Sequence, residues 1–282
     1  MRAERLASVG AVLAEGPVWR AESEEIVWVD IPNGEIFATG LAGTTRLVRQ
    51  HAMPVGAVAL GPGGEILAST PIGLVDEAGQ VRAELPVEAP DLRANDGKPD
   101  PAGRFVGGTM TVGVPRPGAG SLWSLASDNA TRLVADVTIA NGLAWDASGE
   151  TLYWIDTPTG CIDQFDYDRD TGSAVNRRPW VAIDRSVGSP DGMCIDAEGG
   201  LWVALWGGSA VHRYLEGRLD VVVEVPASQV TCPTFAGPEL DRLVITTASI
   251  GLDPRLEGAG DLYVVETGPI GVPPGRLGSW AV

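Results

Sequence analysis

The chain has 282 residues, 44% hydrophobic and 20% charged, which is globular composition with ample material for a core. Its 37 acidic and 20 basic residues give a net charge of −17, a field that repels nucleic acid and anionic membranes, and no basic stripe interrupts it. No apolar run has the length of a membrane span, and the opening MRAERLASVG lacks the hydrophobic block of a signal peptide. Cys161, Cys194 and Cys232 are odd in number and lack C-x-x-C spacing, so they read as buried thiols of a cytoplasmic protein, not as disulfides or a zinc site.

Helical periodicity is nearly absent. Short apolar or alternating runs are instead separated by Gly, Pro, Asp and Asn at intervals typical of all-β chains. The segment before Glu15 is read as a strand that pairs with the last unit of the chain. A first unit, EGPVWRAESEEIVWVD, then runs from Glu15 to Asp30. VGAVALGPGGEILAST follows from Val55 and NDGKPDPAGRFVGGTM from Asn95. NGLAWDASGETLYWID begins at Asn141, and the stretch to Trp180 after it has the look of a blade's outer hairpin with a Thr-Gly turn. DGMCIDAEGGLWVALW begins at Asp191 and CPTFAGPELDRLVITT at Cys232.

The starts of these units are separated by 40, 40, 46, 50 and 41 residues. Six units at that period predict an all-β chain folded as a six-bladed β-propeller, with four antiparallel strands per blade. The blades fill residues 1–282 as a single domain. A parallel β-helix has much shorter repeats, and a two-sheet sandwich does not require six copies of one unit.

The innermost strands of a propeller run in the same direction, so their first residues share one end of the central channel. Counting back five positions from each turn, that column reads Glu15, Val55, Asn95, Asn141, Asp191 and Cys232. Four of the six carry oxygen. Clustered, poorly solvated carboxylates need a cation or a proton, although Asn and Asp also begin strands as ordinary turn formers. Glu15 is harder to explain as a turn former. With no His in the column, the donors suit a hard cation such as Ca²⁺, Mg²⁺ or Mn²⁺ better than a structural zinc site. Arg93 and Asn95, two apart in an extended segment, point the same way and suit a substrate bearing hydroxyls or a carboxylate. The competing expectation pairs Arg93 with Asp91 or Asp100 at the surface.

The remaining candidates carry less. His51 and His212 share no motif, which gives a Ser-His-Asp triad little support. His51 precedes an inner strand and could reach the channel mouth, while His212 reads as a strand residue. Cys232 reads as packing. Trp28, Trp123, Trp154 and Trp202 are read as blade-to-blade core on the second strands, and Trp206 as a pocket candidate where its strand ends.

AEGPVW, RANDGKPDPAGRFVGGTM, ANGLAWD, LYWIDT, FDYD and SPDGMCIDAEGGLWVA together resemble the SMP-30/gluconolactonase/regucalcin family over nearly the whole chain. The resemblance implies a six-bladed propeller that binds one divalent metal ion (calcium, magnesium, manganese or zinc) and hydrolyses sugar lactones. It places the metal on Glu15, Asn141 and Asp191 and the substrate contacts on Arg93 and Asn95. The reading that follows is a metal-dependent lactonase acting on a small molecule, with Asp191 as both metal ligand and general base. A calcium-binding propeller without turnover and an esterase acting on a non-sugar substrate are the alternatives. The sequence departs from the family in one place. After Gly-Thr-Met the family carries an acidic stretch that binds sugar hydroxyls, whereas TVGVPRPGAGS here has Gly113 at the matching position and no carboxylate, in a shorter lid.

Overall fold

A computed structural model of the protein describes residues 1–86, 89–127, 129–252 and 257–282. The first strand, β1, is Glu4–Ala7. Blade one follows with β2 (Ala14–Arg20), β3 (Glu25–Asp30), β4 (Glu35–Gly40) and β5 (Thr45–Gln50). Blade two holds β6 (Ala57–Leu60), β7 (Ile66–Thr70), β8 (Gly73–Val75) and β9 (Val81–Glu84). Blade three is built from β10 (Leu92–Pro99), β11 (Phe105–Thr111), β12 (Gly120–Ala126) and β13 (Asn129–Val137). In blade four, β14 (Ala140–Trp145) and β15 (Thr151–Asp156) precede the predicted outer hairpin, β16 (Cys161–Tyr167) and β17 (Ala174–Ala182). Blade five comprises β18 (Ser189–Ile195), β19 (Leu201–Trp206), β20 (Ala210–Leu215) and β21 (Arg218–Glu224). Blade six uses β22 (Val230–Ala236), β23 (Arg242–Thr247) and β24 (Leu262–Glu266). Its fourth and outermost strand is β1, paired antiparallel with β24, so the first and last strands share one sheet and close the ring as expected.

Local chemistry explains the blades. Asp100, Asp146 and Asp196 each head the turn from a first to a second strand. The Asp196 Oδ1 accepts from the N–H groups of Glu198 and Gly200, and Asp100 does the same with Ala102 and Arg104. The glycine three residues on (Gly103, Gly149 or Gly199) then closes the turn by donating to the Asp carbonyl at 2.9–3.0 Å. Between blades the sheets pack through six apolar clusters, one for each neighbouring pair. Trp28, Trp154 and Trp202 are fully buried in them and lie on second strands. Each withdraws roughly 200 Å² from water, about 5 kcal/mol of gross hydrophobic stabilisation.

Trp123 also fills such a cluster, but on the third strand β12 and not the second as predicted. The second strand of blade three has no room for it. There Gly107 and Gly108 press against Phe105 and Ala140, and the indole arrives from the adjacent strand instead.

Candidate functional site

Five of the six inner strands break register at the column. The slips fall at Glu15/Val18, Ala94/Gly97, Asn141/Leu143, Pro190/Met193 and Val230/Cys232. In blade two the strand simply begins at Ala57, two residues after Val55. A bulge re-aims the side chain it carries, and here one recurs at the same level in each of the five blades.

The chain leading into two of these positions is fixed from below. Asp30, at the end of β3, accepts the N–H groups of Val12 and Leu13 at 3.0 and 2.9 Å, just ahead of Glu15. Asp156, at the end of β15, accepts those of Thr138 and Ile139 in the same way ahead of Asn141. A glycine after the column residue then lets neighbouring strands approach. A Cβ on Gly142 would stand 2.7 Å from the Asp191 carbonyl oxygen, and one on Gly192 2.5 Å from the Cys232 sulfur.

Glu15, Asn95, Asn141 and Asp191 are all buried, at 4–6% exposure together with Asp96. Asn95 donates through Nδ2 to the Asn141 Oδ1 (2.8 Å) and to the Ala140 carbonyl (2.7 Å), which ties blade three to blade four. The Asn141 Nδ2 donates to the Thr157 hydroxyl, and that hydroxyl donates to the Pro190 carbonyl beside Asp191, both at 2.8 Å. Arg93 donates to the Asn95 Oδ1 at 2.6 Å and to the Ala94 carbonyl at 2.9 Å. The surface alternative for Arg93 is therefore not realised. Asp91 pairs with Arg116 and Asp100 with Arg104, each at 2.7 Å.

The acids repel one another out of contact with water. Burial, and then the neighbouring Asp96, push the Glu15 carboxyl up to about 8. Burial, then Glu15 and Asp96, hold Asp191 well above the usual carboxylate range, and burial raises Asp96. Arg93 falls to about 10 through burial, with Glu15 and Asp191 opposing the fall. Glu15 thus feels the charge of Asp96, Arg93 and Lys98, and Asp191 that of Glu15, Asp96 and Arg93, as a shared site requires.

Asp96, Thr157 and Lys98 went unnoticed in the sequence. Asp96 occupies the register position that is Gly16, Gly56, Gly142 and Gly192 in four other blades, and this break in the pattern was the available signal. Its Oδ1 accepts from the Gly97 N–H at 2.7 Å, while its Oδ2 is buried without a partner. Thr157 could have been read from LYWIDT. Lys98 lies three residues beyond Asn95 and donates from Nζ to the carbonyls of Leu143 (3.2 Å) and Met193.

The other candidates stand apart from this network. His51 is half-buried in the loop after β5, with its Nε2 lacking a hydrogen-bond partner, and burial lowers its basicity. His212 is buried on β20 against the Tyr214 hydroxyl, 3.2 Å away. Cys232 is fully buried, and burial holds its thiol well above the ordinary range, which suits packing. All three cysteines are free. Trp206 closes β19 and bridges to Gln229. Gly113 lies in open space in a loop where Val114 is 87% exposed.

Among the described residues, no three His, Cys, Asp or Glu side chains form a metal-holding group by themselves. The expected set differs in kind, combining two carboxylates with the Asn141 amide. Its donors are hard oxygens, and the orphaned Asp96 oxygen beside them marks uncompensated negative charge. These residues fit a divalent cation.

Among the described residues, no helix is long and apolar enough to cross a membrane. Regucalcin from Xenopus laevis is 35% identical over 272 residues, which cover 90% of each chain. The crystal structure of a calcium-binding protein, regucalcin, from Agrobacterium tumefaciens superposes with a TM-score of 0.89 at 31% identity, covering 97% of this chain and 96% of that one. A luciferin-regenerating enzyme also superposes at 0.89, with 29% identity and coverage of 98% and 99%. The family profile described as the SMP-30/Gluconolactonase/LRE-like region matches residues 13–249, and the chain belongs to that family.

Proposed function

We propose that the protein is a divalent-metal-dependent hydrolase that opens a lactone, with its active site at the end of the channel where the column begins. The observation that carries this reading is the buried acidic cluster of Glu15, Asp96 and Asp191 set against Arg93 and Asn95. Such a cluster is costly unless something positive is bound, and an arginine and an amide beside it are suited to orienting a polar substrate. Glu15, Asn141 and Asp191 would hold the cation, which when bound supplies Lewis-acid polarisation of the ester carbonyl.

The remaining chemistry belongs to the chain. Asp191 is the general base. Its burial raises proton affinity, which favours removing a proton from an attacking water. The same proton is then available to the alkoxide released as the ring C–O bond breaks. Arg93, held by the Ala94 carbonyl and Asn95, keeps donors free for the substrate's hydroxyl or carbonyl oxygens. Asn95 is positioned by its two bonds into blade four. Free thiols accord with a cytoplasmic location.

An apolar ester or lactone is a second reading, favoured by Val112 and Val114, which are 57% and 87% exposed in the lid. The luciferin-regenerating relative carries the name of an enzyme, whereas the Agrobacterium relative is named for calcium binding.

The test is hydrolysis of a lactone panel by metal-loaded protein with and without chelator, repeated on Asp191→Asn. Turnover lost in chelator, and lost in Asp191→Asn while metal binding is partly kept, supports the assignment. Metal binding without hydrolysis of any lactone or ester refutes it in favour of a binding protein. Near-normal turnover in Asp191→Asn assigns the base elsewhere.

A further inference from the structure

The channel has a second end. Three residues beyond each column residue the inner strands contribute Val18, Val58, Lys98, Ala144, Cys194 and Phe235, one per blade. All six line a cavity of about 450 Å³ on the face away from the acidic cluster. That volume suits a small molecule. Its walls are largely apolar, with Leu60, Trp145 and Ile195 completing the lining.

The far side is crossed by the C-terminal segment. The Gly271 N–H donates to the Leu240 carbonyl at 2.8 Å, Leu277 to Leu60 at 2.8 Å and Gly278 to Gly103 at 2.9 Å. Between these anchors Val272, Pro273, Pro274 and Gly275 lie along the cavity wall. Pro273 and Pro274 carry no backbone N–H that would need solvating against an apolar ligand.

Among the described residues, Lys98 is the one cation lining the cavity. It is closed in by protein, with part of its surface left to the cavity. Two of its three ammonium hydrogens go to the Leu143 and Met193 carbonyls, and the third has no acceptor among the described residues. The acids at the rim are already engaged. Asp100 binds Arg104, the Tyr167 hydroxyl and two backbone N–H groups. Asp196 binds Arg213, the Trp202 indole and two more. Asp146 accepts from Ser148 and from the backbone of Glu150 and Thr151. Their negative charge disfavours a second anionic group on any ligand.

We infer that this cavity binds a small apolar monocarboxylic acid, its carboxylate on the Lys98 ammonium and its hydrocarbon body against Val18, Val58 and Phe235. The cavity lies on the far side of Lys98 from the acidic cluster, and although Lys98 also feels the charge of Asp96 and Glu15, occupancy of the cavity does not depend on the lactonase assignment.

Octanoate is the probe, with octanol and octylamine as controls of equal length, titrated calorimetrically into the full chain. Octanoate should bind at least about tenfold more tightly than either control, with a millimolar or lower Kd. Val18 is partly exposed at the cavity wall, so Val18→Phe fills the space without burying a polar group. It should weaken octanoate binding about tenfold while leaving the far-UV circular dichroism and the lactonase rate unchanged. Lys98→Met, if folded, should bring octanoate and octanol to equal affinity. Equal affinity of the three probes for the wild type, octanoate binding unchanged in Val18→Phe, or no saturable binding at up to ~5 mM overturns the inference.

Discussion

Without metal, the acidic cluster should make the protein less stable as pH rises. Glu15 ordinarily titrates at 4.5 and is pushed up to about 8 in the fold, first by burial and then by Asp96. Between those two pH values the native state holds a proton that the unfolded chain has released, so stability falls as pH increases. Below 4.5 both states are protonated and Glu15 contributes no difference. Above 8 the full penalty applies, on the order of 5 kcal/mol. Asp96 and Asp191 are shifted in the same direction and act in the same sense.

Set against a typical net stability of about 5–15 kcal/mol, that penalty is large. For 282 residues, with about 2.1 cal/mol/K of unfolding entropy each, 5 kcal/mol corresponds to a Tm loss of about 8 °C. Thermal unfolding followed by circular dichroism in chelator, from pH 5 to pH 9, should show this fall. Saturating Ca²⁺ should restore most of it at pH 8.5 and little at pH 5, where protons compete for the same oxygens. Glu15→Gln isolates the contribution, because the amide cannot ionise. Its Tm should exceed that of the metal-free wild type at pH 8.5 and match it near pH 5. A metal-free Tm that does not fall with pH, or a wild-type slope that persists unchanged in Glu15→Gln, refutes the reasoning.

Two further perturbations separate specificity from scaffold. Gly113 has open space around it but a φ of +77°, so a carboxylate is better introduced as Asp, which tolerates that conformation, than as Glu. Gly113→Asp should raise kcat/KM for heavily hydroxylated lactones several-fold relative to apolar ones, at about 1 kcal/mol per hydrogen bond gained; an unchanged ratio across the panel places hydroxyl recognition elsewhere. Asp100→Ala strands the half-buried Arg104 and the Tyr167 hydroxyl and should cost about 3–5 kcal/mol in urea unfolding. It should leave kcat/KM per folded molecule within a factor of about two, because turn and column occupy different levels of the blade.

The fold was legible because a propeller repeats one short instruction. Asp at the head of a turn, Gly three residues on and apolar strands either side survive in enough units to reveal the period. The column followed from counting back from those turns, since a shared fold puts shared register positions at one level. What escaped was whatever a blade does alone. Trp123 moved to a third strand because Gly107 and Gly108 leave no room on the second. Thr157 acts across two blades through Asn141 and the Pro190 carbonyl, a contact no spacing announces. Arg93 had nearby acids in sequence, and only the folded chain shows that Arg116 and Arg104 have taken them.

Blade three departs most from the others, and its departures fall along one line. Asn95 stands in the column, Asp96 replaces a glycine, and Lys98 stands where the other blades carry Val18, Val58, Ala144, Cys194 and Phe235. Amide, carboxylate and ammonium therefore follow one another down the channel on a single strand. Fully ionised, Glu15, Asp96 and Asp191 carry three negative charges against two positive ones on Arg93 and Lys98. A divalent cation would bring the sum from minus one to plus one, a sign suited to the oxyanion that develops during ester cleavage. A monovalent cation would only neutralise it. On this reckoning Asp96 would set the charge of the proposed site without needing to touch a metal, and would moderate the field of Arg93 and Lys98 that would otherwise repel a cation. A glycine there, as in four of the other blades, would leave Glu15 and Asp191 balanced by the two bases and would weaken the electrostatic case for the proposed cation.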